Sequence, residues 1–151
     1  MAAMARDATN FTRPKVLAVD DDPDLLSLLE LVFRREGYDV LVAPDGAAAL
    51  ELIDAEGPDV ILLDLMMPAM DGFTVLQRLR RRVRSPRVVC LTAKGGRMDR
   101  ERAWRLGVDE YVTKPFSLSA VLGAADAVIG RSWPERRARR WRALTELGSL
   151  P

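Results

Sequence analysis

Histidine is absent from this 151-residue chain, cysteine occurs once and lysine only three times. Each scarcity excludes something. Without histidine there is no imidazole acid–base catalyst, no His-ligated zinc and no phosphohistidine donor. One cysteine, Cys90, rules out an internal disulfide framework and fits a reducing compartment. In the apolar run "RVVCL" it reads as buried and inert. No apolar run approaches the roughly 20 residues of a membrane helix. The N-terminal "MAAMARDATNFTR" has no apolar core of a signal peptide. A cytoplasmic protein without a membrane span is expected. Of the 23 basic residues, 20 are arginine, so each lysine is a candidate for a special place. Lys15 reads as the surface start of a strand, while Lys94 and Lys114 fall in loops.

Net charge is +1, unevenly spread. Residues 1–130 carry 17 basic and 20 acidic groups, whereas residues 131–151 carry six arginines against two glutamates. A mildly acidic body with a short basic tail does not suit direct nucleic-acid binding.

What the chain does contain is alternation. Apolar runs of strand length occur at "VLAV" (16–19), "YDVLVA" (38–43), "DVILLDL" (59–65), "RVVCL" (87–91) and "EYVT" (110–113). Segments of helical period lie between them. Residues 24–36 place Leu25, Leu28, Leu29, Val32 and Phe33 on one face before Gly37. Further helices are expected at 45–57, 73–82, 96–106 and 117–129, the last opening on a serine cap. Strands that read as continuous hydrophobics are those of a parallel sheet covered on both faces. The expected fold is α/β: a single doubly wound five-stranded parallel sheet. Its ligand site then lies beyond the carboxyl ends of the strands, where strand order reverses.

Those ends carry Asp20 and Asp21 (first strand), Asp64 (third), Thr92 (fourth), and Lys114 followed by Pro115 (fifth). Two carboxylates at about 4 Å repel by roughly 4 kcal/mol at an effective dielectric near 20. A cation offsets that. Three carboxylates without imidazole or thiolate form a hard oxygen site selective for Mg²⁺ or Mn²⁺. A lysine and a threonine hydroxyl beside it suit a phosphoryl group, and a carboxylate can itself be the phosphorylated nucleophile. Asp22 before Pro23 reads as a helix N-cap, with Asp24 in the first turn, where the helix dipole favours it.

Four motifs, "VDDDP" (19–23), "PDVILLDLMMPAMDG" (58–72), "LTAKG" (91–95) and "GVDEYVTKPF" (107–116), together resemble the receiver domain of two-component response regulators. The resemblance spans about residues 14 to 130, leaving 1–13 as a flexible N-terminal segment and 131–151 as a basic helical tail or linker. It implies the flavodoxin-like (βα)5 strand order 2-1-3-4-5. It also implies Asp64 as phosphoacceptor, and Mg²⁺ on Asp21, Asp20, Asp64 and the Met66 backbone carbonyl. Thr92 and Lys114 would bind the phosphoryl oxygens. Pro115 would follow a cis peptide that turns the lysine inward, and Tyr111 would be the aromatic that moves with Thr92. Lys94, two residues past Thr92, would sit where phosphoryl lifetime is influenced. The implied partners are a histidine kinase or histidine phosphotransfer protein upstream and a protein downstream. A homodimer through the fourth helix, fifth strand and fifth helix is implied; separately, the tail with Trp133 and Trp141 reads either as an extension packed on the body or leading into a linker, or as a docking or dimerising helix. Ala120 and Ala124 stand where members that dimerise by salt bridges carry charged residues, so that salt-bridged interface is not expected here, while an apolar one across the same face stays open. The chain would catalyse only its own phosphorylation and dephosphorylation, and is not expected to be an enzyme.

Two other readings fail on single residues. Asp20, Asp22 and Asp24 are spaced like EF-hand ligands, but Leu25 replaces the required glycine and Leu31 the glutamate. Haloacid-dehalogenase-like phosphatases need an acid two residues after the nucleophile, and that position is Met66. For output, a stand-alone receiver that binds a partner is favoured over the receiver part of a longer DNA-binding regulator, because no basic recognition helix is visible. The segment "SWPERRARRWRALTELG" (132–148) is expected to be a helix with a Ser132–Glu135 capping box. Its apolar face is expected to carry Ala138, Trp141, Leu144 and Thr145.

Overall fold

The computed structural model describes residues 13–82, 85–93 and 95–150. Five strands, β1 (Lys15–Val19), β2 (Asp39–Ala43), β3 (Val60–Leu63), β4 (Arg87–Thr92) and β5 (Glu110–Thr113), form one sheet ordered β2-β1-β3-β4-β5. Every pairing is parallel, as the continuous hydrophobic runs require. Helices α1 (Pro23–Arg35), α2 (Gly46–Glu56), α3 (Gly72–Arg80), α4 (Arg97–Arg105) and α5 (Leu118–Ile129) connect and follow the strands, and α6 (Trp133–Glu146) closes the described chain. One apolar layer packs α1 and α5 on the sheet around Leu29, Phe33 and Val121. The other packs α2, α3, α4 and the end of α6 around Phe73, Leu76, Trp104 and Leu144. None of the helices among the described residues is long and apolar enough to cross a membrane.

Caps set where most of these helices begin. Asp22 accepts from the backbone N–H groups of Asp24 and Leu25, ahead of Pro23 at the first helical position. Asp45, Asp71 and Ser117 do the same for α2, α3 and α5. The phase of α1 differs from the expected face. Leu26, Leu29 and Phe33 are buried, whereas Leu28 is 44% exposed. Five leucines and a valine crowd the helix, so two apolar faces compete and composition alone cannot choose between them.

The tail is a helix with the capping box intact: Ser132 and Glu135 exchange hydrogen bonds. Its buried face is not the expected one. Trp141 is 61% exposed, and Ala138 and Thr145 are exposed, while Arg136 is only 6% exposed and lies with Ala143 and Leu144 against the body. The reason is Asp109. Its buried carboxylate accepts from Arg136 Nε at 2.7 Å, from a second Arg136 nitrogen at 3.0 Å and from the Val88 backbone N–H at 2.9 Å. Arg139 and Arg131 both reach Glu110, at 3.0 Å and 2.6 Å, and the Arg139 guanidinium lies 4.8 Å from the Trp104 ring centroid. Arginine stems therefore serve as the helix's packing surface, with their forks on carboxylates.

Removing one partner of a buried ion pair strands the other charge, at about 3–5 kcal/mol. Asp109→Ala is expected to lower the urea-unfolding free energy by about that amount, and the double change with Arg136→Met to recover at least half of it.

Candidate functional site

The parallel register brings the predicted residues to one sheet edge. Val19 pairs with Leu63 across β1 and β3, so Asp20 and Asp64 leave adjacent strands side by side. The Asp64 N–H donates to the Val19 carbonyl at 3.0 Å, and the Asp20 N–H to that of Ala43 at 3.2 Å. Thr92, fully buried, ends β4, and its carbonyl accepts from the Lys114 N–H at 2.9 Å. β1 lies between β2 and β3, where chain order reverses, and an α/β sheet opens its crevice there.

Asp20 and Asp64 are 2% and 4% exposed, while Asp21 faces solvent. One carboxylate oxygen from each of the three lies within 4.8 Å of the others. The Lys114 ammonium donates to Asp20 Oδ2 at 2.8 Å and to Asp64 Oδ2 at 3.4 Å. Backbone donors hold the free oxygens: the Asp22 N–H reaches Asp20 Oδ1 at 2.9 Å, and the Met66 N–H reaches Asp64 Oδ1 at 3.0 Å. Burial raises the Asp20 pKa above its ordinary value; the Lys114 and Asp22 hydrogen bonds oppose that and the Asp64 charge adds to it. For Lys114 burial acts downward, yet its bond to Asp20 and the Asp64 charge outweigh it and raise the pKa. The ammonium thus stays charged between two carboxylates that repel.

The loop after β3 is shaped by a close approach. A Cβ on Gly72 would stand 2.5 Å from the Asp64 carbonyl oxygen and 2.8 Å from Leu65 Cα, so α3 can start there only with glycine. Its N–H donates to the Leu65 carbonyl at 3.2 Å. The Lys114–Pro115 peptide is cis. Tyr111, half-buried on β5, pairs in register with Cys90 and lies under Arg100, whose guanidinium is 5.3 Å from the ring centroid. Cys90 is fully buried, and burial pushes its thiol pKa up.

Asp20, Asp21, Asp64 and Lys114 thus converge, Thr92 ends the neighbouring strand, and Asp22 caps α1 rather than joining the cluster. Lys94 lies outside the described residues. Sequence reasoning missed the Asp109–Arg136 pair at the opposite sheet edge. Arg136, Arg140, Ala143, Leu144 and Leu147 follow helical spacing, and that signal was present once arginine stems are counted as packing surface.

The donor set fits a hard divalent cation: three carboxylates within reach of one another, one of them open to water, and no soft ligand.

The family model of the response regulator receiver domain matches residues 16–126. The receiver domain of a Francisella response regulator is 35% identical with a TM-score of 0.73, covering 78% of this chain and 97% of that one. The BeF3-activated N-terminal receiver domain of Klebsiella pneumoniae RstA is 30% identical with a TM-score of 0.72, covering 78% and 99%. The chemotaxis response regulator CheY4 of Vibrio cholerae is 28% identical with a TM-score of 0.72, also covering 78% and 99%.

Mg²⁺ is expected to raise the melting temperature. At about 100 times its dissociation constant it adds about 2.7 kcal/mol of stability. Differential scanning fluorimetry with Asp21→Ala is expected to lose most of that gain, and Asp24→Ala to keep it.

Proposed function

This chain belongs to the response regulator receiver domain family, and we propose that within it Asp64 is the phosphoacceptor of a signalling switch. The observation that carries the reading is the Asp20–Asp21–Asp64 cluster with Lys114 on two of its members. In this reading an Asp64 oxygen attacks the phosphorus of a phosphohistidine on a histidine kinase or phosphotransfer protein. An O–P bond forms, the P–N bond breaks, and the imidazole leaves with the electron pair. Asp21, Asp64 and the Met66 carbonyl, helped by Asp20, would hold a Mg²⁺ ion, which would supply positive charge for the phosphoryl oxygens.

The remaining work falls to this chain's own groups. Lys114 already stands at Asp64 and donates to the new phosphoryl oxygens, and Thr92 offers its hydroxyl from the next strand. Met66 brings no proton-transferring side chain two residues past the nucleophile, so the aspartyl phosphate persists as a signal instead of turning over rapidly. Movement of Thr92 and Tyr111 carries the change to the face formed by α4, β5 and α5. The functional unit runs over 14–130, with 131–151 as a helical tail on it. The downstream partner is a protein bound through that face, and self-association uses the same face or the tail. A cytoplasmic location is consistent with a buried, inert Cys90 and with phosphoryl donors of the histidine-kinase type.

The test is intact mass after incubation with acetyl phosphate and Mg²⁺. One phosphoryl mass is expected on the wild-type chain, and none on Asp64→Asn or without metal. Labelling of Asp64→Asn at the wild-type level, or no adduct from acetyl phosphate and from a phosphorylated histidine kinase alike, removes the reading.

A further inference from the structure

At the sheet edge opposite Asp64, α6 and the body enclose a cleft of about 1010 Å³. Six arginines line it: Arg80, Arg82, Arg87, Arg105, Arg136 and Arg140. None of the described lining residues is acidic. Three of the six have carboxylate partners: Arg136 has Asp109 at 2.7 Å, Arg82 has Asp54 at 2.6 Å, and Arg105 has Glu101 at 3.9 Å. Among the described residues the other three donate only to backbone carbonyls. Arg80 reaches that of Arg105, Arg87 those of Val128 and Arg131, and Arg140 that of Gly107.

The cleft therefore holds more cations than its carboxylates balance, and some of its donors are unused. Arginines on an open surface turn their spare N–H groups to water. Here the Nε groups of Arg82 and Arg140 are buried and find no partner among the described residues. A buried unpaired donor is costly, and more so on a charged group. Burial lowers the Arg140 pKa; Asp109 opposes this, and the neighbouring Arg136 and Arg80 charges reinforce it. An anion relieves both the crowding and the unmet donors.

The size and rim narrow the class of anion. Small-molecule sites run to about 300–1,000 Å³, so a single phosphate would occupy little of this one. Planar guanidinium forks match phosphate oxygens bidentately. At the rim stands Trp133, 55% exposed, a stacking surface of the kind nucleobases use. We propose that this cleft binds a nucleotide carrying two or more phosphates. The phosphates lie toward Arg80, Arg82 and Arg140, and the base lies on Trp133. The site is separate from the Asp64 cluster and needs no divalent cation.

Calorimetric titration of the whole chain in EDTA at low salt tests this, with GDP, pyrophosphate and a single-stranded oligonucleotide as probes. GDP is expected to bind at one site, with pyrophosphate weaker by about fivefold or more because it lacks the stacked base. Trp133→Ala is expected to close that gap. Arg82→Met with Arg140→Met is expected to weaken GDP by about tenfold or more, with acetyl-phosphate labelling of Asp64 unchanged. Arg140→Lys, which keeps the charge and loses the fork, is expected to fall between. If the double variant melts early, the Arg140→Lys and Trp133→Ala results decide alone. The proposal is overturned by no GDP binding at millimolar concentration, by pyrophosphate binding as tightly as GDP, by variants that bind like wild type, or by an oligonucleotide that outcompetes GDP.

Discussion

The Lys114 ammonium lies 2.8 Å from Asp20 and 3.4 Å from Asp64, and the charge balance of the site depends on that contact. Two nearly buried carboxylates on adjacent strands repel, and water screens that repulsion little in a buried crevice. One flexible cation spans both, entering from β5 across the end of β4 by way of the Lys114 N–H to the Thr92 carbonyl. The cluster is thus balanced without being saturated. Lys114 has a third proton to give, Asp21 remains open to solvent, and each buried carboxylate has one oxygen on a backbone N–H. The phosphoryl group proposed for Asp64 would change that balance at its centre. It brings added negative charge and new acceptor oxygens to the ammonium that now leans toward Asp20.

The opposite edge of the sheet shows the same economy with the signs reversed. Asp109 is one buried carboxylate serving Arg136 and the Val88 N–H, and through it α6 becomes part of the folded body. Arg97 and Arg105 on α4 extend this by donating to the carbonyls of Leu147 and Ser149 beyond the helix. Any movement of α4 must therefore act on α6. The face proposed above to carry the signal is partly tied to the segment that follows α6.

The five strands and the helices were legible because a parallel sheet writes itself as buried apolar runs separated by helical periods, whereas the strand order followed only from the resemblance of the four motifs to receiver domains. The convergence of Asp20, Asp21, Asp64 and Lys114 was legible too, since they sit at strand ends, where register rather than side-chain packing decides proximity. Packing details were not. In α1 the excess of leucines concealed that Leu26, not Leu28, turns inward. In α6 the apolar face read for Ala138, Trp141, Leu144 and Thr145 is exposed except at Leu144, and Arg136, read as lying largely off that face, is buried. A polar residue at a core-facing position is invisible to hydrophobic periodicity until its carboxylate partner is known, and Asp109 lies 27 residues away in sequence. The arginine cleft was hidden for the same reason, as it exists only once α6 has docked.

The central claim is that charge arriving at Asp64 is felt through Lys114 and Thr92 by Tyr111, α4 and α6. The most direct measurement is the set of backbone amide chemical shifts in Mg²⁺, recorded with and without beryllofluoride as a phosphoryl mimic. Shifts are expected at Asp20, Thr92 and Lys114 that continue through Tyr111 and Arg100 to the contact of Arg97 on α4 with Leu147. Shifts confined to the loops around Asp64, with Tyr111 and α4 unmoved, would contradict it.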